Sequence, residues 1–203
     1  MSSIASTAID ELEQEHRFDI IQTELSTNTT LLSKIRNNYK SENDLTLLQK
    51  IQTSKGIDSL ESRLTYHDYD DYGNPLEVSK TDGTHIVYIW GYDHTVPIAK
   101  IENATYNDIN SFVSNLQNLS DLDIDENTEQ SLRTALNNFR GLTILSNAQV
   151  TTYTYDPLVG VTSITDPSGY TSYYDYDEFN QLQYIKDKDE IVLKSYKYNY
   201  KGL

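Results

Sequence analysis

The stretch YDPLVGVTSITDPSGYTSYYDYDEFNQLQYIKDKD, residues 155–189, carries one short cassette twice. Tyr155-Asp156 recurs as Tyr176-Asp177, and the agreement continues beyond the dipeptide: at the same offset of 21 residues Tyr153 falls on Tyr174, Val161 on Leu182 and Asp166 on Asp187. An earlier copy opens at Tyr69-Asp70 and runs through Gly73-Asn74-Pro75-Leu76 and Asp82-Gly83 to Tyr88. A period of about 20 residues marks an array whose units bury their apolar faces only against neighbours. The repeat therefore speaks first of architecture.

Around these cassettes the side chains alternate. Tyr153 and Tyr155 alternate with Thr152 and Thr154; Tyr170, Tyr174 and Tyr176 share one face, as do Tyr196, Tyr198 and Tyr200 against Lys197, Asn199 and Lys201. That period of two predicts strands with aromatic side chains inward, polar ones outward, and tyrosines stacked across strands. Asp166-Pro167-Ser168-Gly169 reads as a turn, because Pro fixes φ and Gly accepts a positive one. Glu190 stands where Gly169 does, so the third cassette is expected to turn differently. Between Leu64 and Asn103, Ile86, Tyr88, Trp90 and Tyr92 alternate with Val87, Ile89 and Gly91. Both faces are apolar, which predicts an internal strand flanked by turns at Gly73-Asn74-Pro75 and Asp82-Gly83.

Two segments break this period. Ile109, Phe112, Val113, Leu116 and Leu119 have helical spacing, and so do Leu132, Ala135, Leu136 and Phe139 after an acidic linker. Thr128 or Asn127 is the expected cap of the second helix, with Glu129 in its first turn and Gly141 at its end. A short N-terminal helix with Ala5, Ala8, Ile9 and Leu12 on one face precedes strands from Phe18 to Lys55, with a polar turn at Ser41-Glu42-Asn43-Asp44 and a break at Lys55-Gly56. The fold class that follows is mainly β: an antiparallel β-hairpin strip with an inserted two-helix hairpin. Its segments are 1–63 (short helix, then degenerate β repeats), 64–105 (β cassette), 106–148 (helical insertion) and 149–203 (β cassettes).

Only 37% of residues are hydrophobic and the mean hydropathy is −0.61, low for a compact enzyme. Seventeen tyrosines nevertheless argue against disorder and suit half-exposed sheets. The net charge of −15 repels phosphate backbones and anionic membranes, so no nucleic-acid partner and no membrane insertion are expected. Cysteine is absent, which excludes disulfides and thiolate metal sites. The start, MSSIASTAIDELEQEH, lacks the basic and apolar regions of a signal peptide. The chain is expected to be cytoplasmic as made, or part of something larger.

The stretches YDDYGNPLEVSKTDG, YDPLVGVTSITDPSGYTSYY and YDEFNQLQYIKDKD, with a weaker WGYDHTVPIAKIENA, resemble the YD-repeat (rearrangement-hotspot, RHS) family of bacterial surface and toxin-associated proteins. That resemblance implies a long antiparallel β-strip. In toxin-complex and polymorphic-toxin members the strip spirals into a hollow shell around a toxic segment. Three or four cassettes support the strip but not a closed shell. The resemblance thus implies a C-terminal or remnant segment of a larger RHS-repeat protein, structural rather than enzymatic, at the cell surface or outside the cell. Its expected partner is a larger YD-repeat polypeptide or another copy joined through β edges.

The repeat-defining residues are Tyr69, Asp70, Gly73, Asp82, Gly83, Tyr155, Asp156, Asp166, Gly169, Tyr174, Tyr176, Asp177 and Asp187, read as structural. Tyr88, Trp90 and Tyr92 are candidates to stack on a sugar ring, which would make the chain a surface-glycan binder; the stronger reading is core or ladder packing, because both faces of that strand are apolar. Some family members cut themselves near a DPxG motif, and Asp156 and Asp166 are candidates for such an acid pair; the stronger reading is two turn aspartates. Asp121, Asp123 and Asp125 fall at positions 1, 3 and 5 of a calcium-type loop. Glycine is missing at the sixth position and Leu132 stands where the bidentate Glu belongs, so a solvated linker is expected. His16, His67, His85 and His94 show no metal-ligand spacing, and neither metal nor cofactor is expected.

Overall fold

The computed structural model describes residues 6–198, which are mainly β, with two helices inserted into one twelve-stranded sheet. Helix α1 (Ser6–Gln14) precedes β1 (Gln22–Thr27), β2 (Thr30–Glu42), β3 (Leu45–Lys55), β4 (Glu61–Tyr69), β5 (Pro75–Lys80), β6 (His85–Gly91) and β7 (Val96–Glu102). Helices α2 (Tyr106–Asp121) and α3 (Glu126–Arg140) follow, then β8 (Gln149–Asp156), β9 (Gly160–Thr165), β10 (Thr171–Tyr176), β11 (Leu182–Lys186) and β12 (Val192–Ser195). Strand order in the sheet equals chain order, as in a meander of hairpins. The chain divides into two compact units, Met1–Ile86 and Val87–Leu203. Of the expected N-terminal helical face, Ile9 is half-buried and Leu12 buried, while Ala5 lies outside the described residues. So do Asn199, Tyr200 and Lys201.

Among the described residues one turn joins strands five times: Asp70–Asn74, Lys80–Thr84, Asp166–Tyr170, Asp177–Gln181 and Asp187–Ile191. In each, the first residue's N–H donates to the fifth residue's carbonyl, and the fourth N–H donates back to the first carbonyl, at 2.9–3.1 Å. The fourth residue is left-handed: Gly73 (φ 83°), Gly83 (83°), Gly169 (87°), Asn180 (58°) and Glu190 (60°). This is a three-residue hairpin loop closed by a left-handed bulge. In the four turns that open on Asp, its Oδ1 also accepts the N–H of the third and fifth residues, within 3.0 Å. Asp82 serves the remaining turn from its third position, accepting the Thr84 N–H at 2.9 Å.

The expectation at Glu190 is thereby corrected, since its cassette turns as the others do. Asp187 secures both loop N–H groups, which offsets the roughly 1–2 kcal/mol that a left-handed L-residue costs. Glu190→Gly is accordingly expected to stabilise the fold by about 0.5–1 kcal/mol, and Gly169→Ala to destabilise it by about 1 kcal/mol. Urea denaturation of the two variants checks both signs.

The tyrosine of the cassette acts in the other direction. Tyr69 donates its hydroxyl to the Leu48 carbonyl on β3 (2.5 Å), Tyr155 to Pro97 on β7 (3.0 Å), Tyr176 to Val161 on β9 (3.0 Å) and Tyr198 to Leu182 on β11 (3.0 Å). Tyrosine ties its strand to the one before; aspartate shapes the turn to the one after. Tyr155-Asp156 keeps only the first half of this scheme. After Asp156, Val159 N–H donates to the Asp156 carbonyl and Leu158 takes the positive φ (69°). Gly160 then passes under the Tyr176 ring, whose hydroxyl would lie 2.3 Å from any Cβ there.

In the second unit the helices decide which face is inside. Val87 and Ile89 of β6, Ile98 and Ile101 of β7 and Val150 of β8 form a core with Ile109, Val113 and Leu116 of α2 and Leu132, Leu136 and Phe139 of α3. These helical residues follow the spacing read from the sequence. The capping expectation shifts: Asp125 is the N-cap of α3, accepting the N–H of Asn127 and Thr128 at 2.9 Å each, while Gly141 ends the helix as expected. Aromatic-inward alternation is reversed on β8, where Thr152 and Thr154 are buried and Tyr153 and Tyr155 half-buried. The reason is Glu129 on α3. Its carboxylate accepts the Thr154 hydroxyl (2.7 Å) and that of Thr162, and pairs with Arg133 (2.6 Å). Hydrogen-bonded hydroxyls can be buried against a helix at small cost.

Candidate functional site

The structure separates the three aromatic candidates. Tyr88 and Trp90 are half-buried on one face of β6, with ring centroids 6.4 Å apart and planes tilted by 43°. Tyr92 lies past the end of β6 and is 7% exposed. It opens a left-handed run, Tyr92, Asp93 and His94 (φ 50°, 54° and 61°), closed by Thr95 N–H donating to the Gly91 carbonyl at 3.1 Å. Such a run is unfavourable by itself. The end of α2 and the linker behind it hold it in place. Ser120 Oγ accepts the Tyr92 N–H (3.0 Å), Asp121 Oδ1 accepts the Asp93 N–H (2.8 Å), and Asp123 Oδ2 accepts the Tyr92 hydroxyl (2.6 Å). The Tyr92 hydroxyl oxygen in turn accepts the Tyr155 N–H at 2.9 Å. A Cβ on Gly91 would come within 2.3 Å of Ser120 Oγ, so the helix end can approach only a glycine.

This geometry accounts for the acidic linker. Asp121 and Asp123 bind the turn and Asp125 caps α3, so the three carboxylates serve separate partners rather than one cation. Burial pushes the Asp123 carboxyl above the ordinary carboxylate range, with the Tyr92 hydroxyl opposing the shift. Burial and the Asp123 bond push the Tyr92 phenol up, and burial raises that of Tyr155 to about 12, so both hydroxyls stay protonated as donors.

Asp156 ends β8 opposite Gly160 and Asp166 follows β9, so the length of β9 separates them by roughly 20 Å at the usual rise per residue. Asp166 has its carboxyl held below the usual range, first by the Ser168 hydroxyl and then by the Tyr170 and Ser168 N–H groups. A general acid working near neutrality needs the opposite shift.

Sequence spacing does not reveal a cluster in the first unit. Pairing of β4 with β5 passes from Tyr66↔Val78 to Asp68↔Glu77, leaving His67 as the extra residue of a bulge. His67 Nε2 lies 2.8 Å from Ser79 Oγ, and its ring stacks on that of His85 with centroids 5.4 Å apart. His85 Nδ1 is 2.5 Å from Oε1 of Glu77, a residue only 7% exposed. The ligand atoms of His67, Glu77 and His85 all lie within 4.8 Å of one another. The signal that could have located this cluster is the hairpin register, since the Asp70 and Lys80 turns fix which residues of β4, β5 and β6 face each other.

No protein-family model and no curated protein matches this chain. Among solved structures it is similar to a TcdB2-TccC3 chain (TM-score 0.45, 12% identity, 87% of this chain and 9% of that one). It is similar, too, to TcdB2-TccC3 without its hypervariable C-terminal region (TM-score 0.46, 13% identity, 87% of this chain and 8% of that one). A third is a Photorhabdus luminescens Tc holotoxin pore (TM-score 0.43, 11% identity, 87% of this chain and 8% of that one). The chain thus spans less than a tenth of the length of the structures it resembles.

Proposed function

We propose that this chain is a non-enzymatic length of β-strip scaffold, belonging to a YD-repeat surface or toxin-delivery protein and meeting further repeats at its sheet edges. One observation carries this reading: the cassette residues are committed to joining each strand to its neighbours. Tyr69, Tyr155 and Tyr176 reach back one strand, while Asp70, Asp166, Asp177 and Asp187 turn the chain forward. At the ends of the strand order, β1 and β12 are exposed along their whole lengths. Leu25 on one, with Val192 and Leu193 on the other, adds apolar surface to these edges. Open edge strands are templates for pairing, and repeat arrays need continuation or caps. The resemblance of the cassettes to YD repeats supports placing the chain beside more of them, at the cell surface or outside the cell.

Sedimentation velocity tests this reading. Mixed with a polypeptide carrying further YD cassettes and encoded beside it, the chain should form a complex that Glu24→Pro or Ser195→Pro disrupts, because the register turns these two N–H groups away from the neighbouring strand and proline removes them as edge donors. A chain that stays unassociated in that mixture and by itself overturns the proposal. Retention on a glycan array, lost in Trp90→Ala with the fold intact, would replace it with a binding module.

A further inference from the structure

We propose that His67, Glu77 and His85 form a binding site for a divalent transition-metal cation of the zinc class. Two imidazoles and one carboxylate are a recurring zinc donor set, leaving a fourth position for water or a partner's ligand. The three residues come from three consecutive strands, β4, β5 and β6, and the two hairpins between them bring their side chains to one place on the sheet. Glu77 is a largely buried carboxylate aimed at His85, whereas the two imidazoles are more open to solvent. A cation therefore has an entry path and an anionic base to settle on.

The geometry needs little change. Bonds of about 2.0–2.1 Å place tetrahedral donors roughly 3.4 Å apart. The present donors lie within 4.8 Å, and the closest pair, His85 Nδ1 and Glu77 Oε1, is 2.5 Å apart. The cation enters between that pair, opening it by about 1 Å while His67 closes in, and a proton on His85 Nδ1 moves to the other ring nitrogen or is released to solvent. Ser79 Oγ, 2.8 Å from His67 Nε2, orients that ring as outer hydrogen-bond partners of metal-bound histidines do. The bulge at His67 is what brings this ring to the site, and re-aiming a side chain is a common use of bulges.

Isothermal titration of the full chain with zinc chloride, beside magnesium chloride, tests the site. One zinc ion should bind per chain, with magnesium giving no comparable heat. His67→Ala and His85→Ala should each weaken zinc by more than about tenfold, since even outer-sphere changes cost 10–100-fold. His94→Ala should leave it unchanged. Cobalt(II) should give the intense visible absorption of a four-coordinate site. His67 is exposed on a bulge, so its alanine variant reports even where His85→Ala fails to fold; circular dichroism identifies that case. Absence of zinc binding overturns the proposal. So does zinc affinity that is unaltered in His67→Ala, or matched by magnesium, either of which marks general attraction to an acidic chain.

Discussion

Tyr92→Ala should lower the unfolding free energy by about 3–5 kcal/mol, as truncation of a buried aromatic does. The ring is 7% exposed and meets Tyr155 edge-on at 5.6 Å. Truncation also strips Asp123 of its donor and the Tyr155 N–H of its acceptor, and each buried orphan costs about 1–3 kcal/mol. Tyr92→Phe keeps the ring and isolates the second contribution, so it should fall between wild type and alanine. Trp90→Ala is the contrasting case, because Trp90 is half-exposed on the other side of β6. Denaturant melts followed by tyrosine fluorescence would show the difference. A Tyr92→Ala loss below about 1 kcal/mol, the typical net value of one hydrogen bond, would refute the clamp on this turn.

Leu132→Ala is expected to cost about 2–5 kcal/mol. Leu132 is fully buried in the core that α2 and α3 build on β6, β7 and β8. Neighbours such as Ile109 and Leu136 are themselves fully enclosed and sit on rigid elements, so the cavity would close only in part. Leu122→Ala, on the exposed linker between the helices, should stay within about 0.5 kcal/mol. Hydrogen exchange gives a second measure: Leu132→Ala should speed exchange at α2, α3 and β8 together, because they share this core.

Much of the architecture was legible because it is written in local period. The helical spacing from Ile109 to Leu119 and from Leu132 to Phe139, and the Asp-led turns, need no distant residue to be read. What the sequence hides depends on distant residues. Nothing near Thr154 announces that Glu129 will bind its hydroxyl beneath α3, so alternation alone turns β8 the wrong way. Glu190 reads as a fault until the Asp187 side chain is seen to hold the loop. Tyr92 looks like the next aromatic of a strand, yet Ser120 and Asp123, far along the chain, hold it in a turn. His67 reaches His85 only through a bulge, and a bulge is invisible to a period of two.

The left-handed turn from Gly91 to Thr95 also sets an order of assembly. The Asp-led hairpins close over five residues with partners inside the loop, so they can form on the microsecond scale of isolated hairpins. The Gly91–Thr95 turn costs roughly 1–2 kcal/mol for each left-handed residue, and its partners lie 28 to 63 residues away. It becomes favourable only after α2 has formed and docked. The β6–β7 hairpin is therefore the late joint of the chain. Until it locks, the hairpins on either side are independent pieces with open edges, at their most exposed to pairing with the wrong strand.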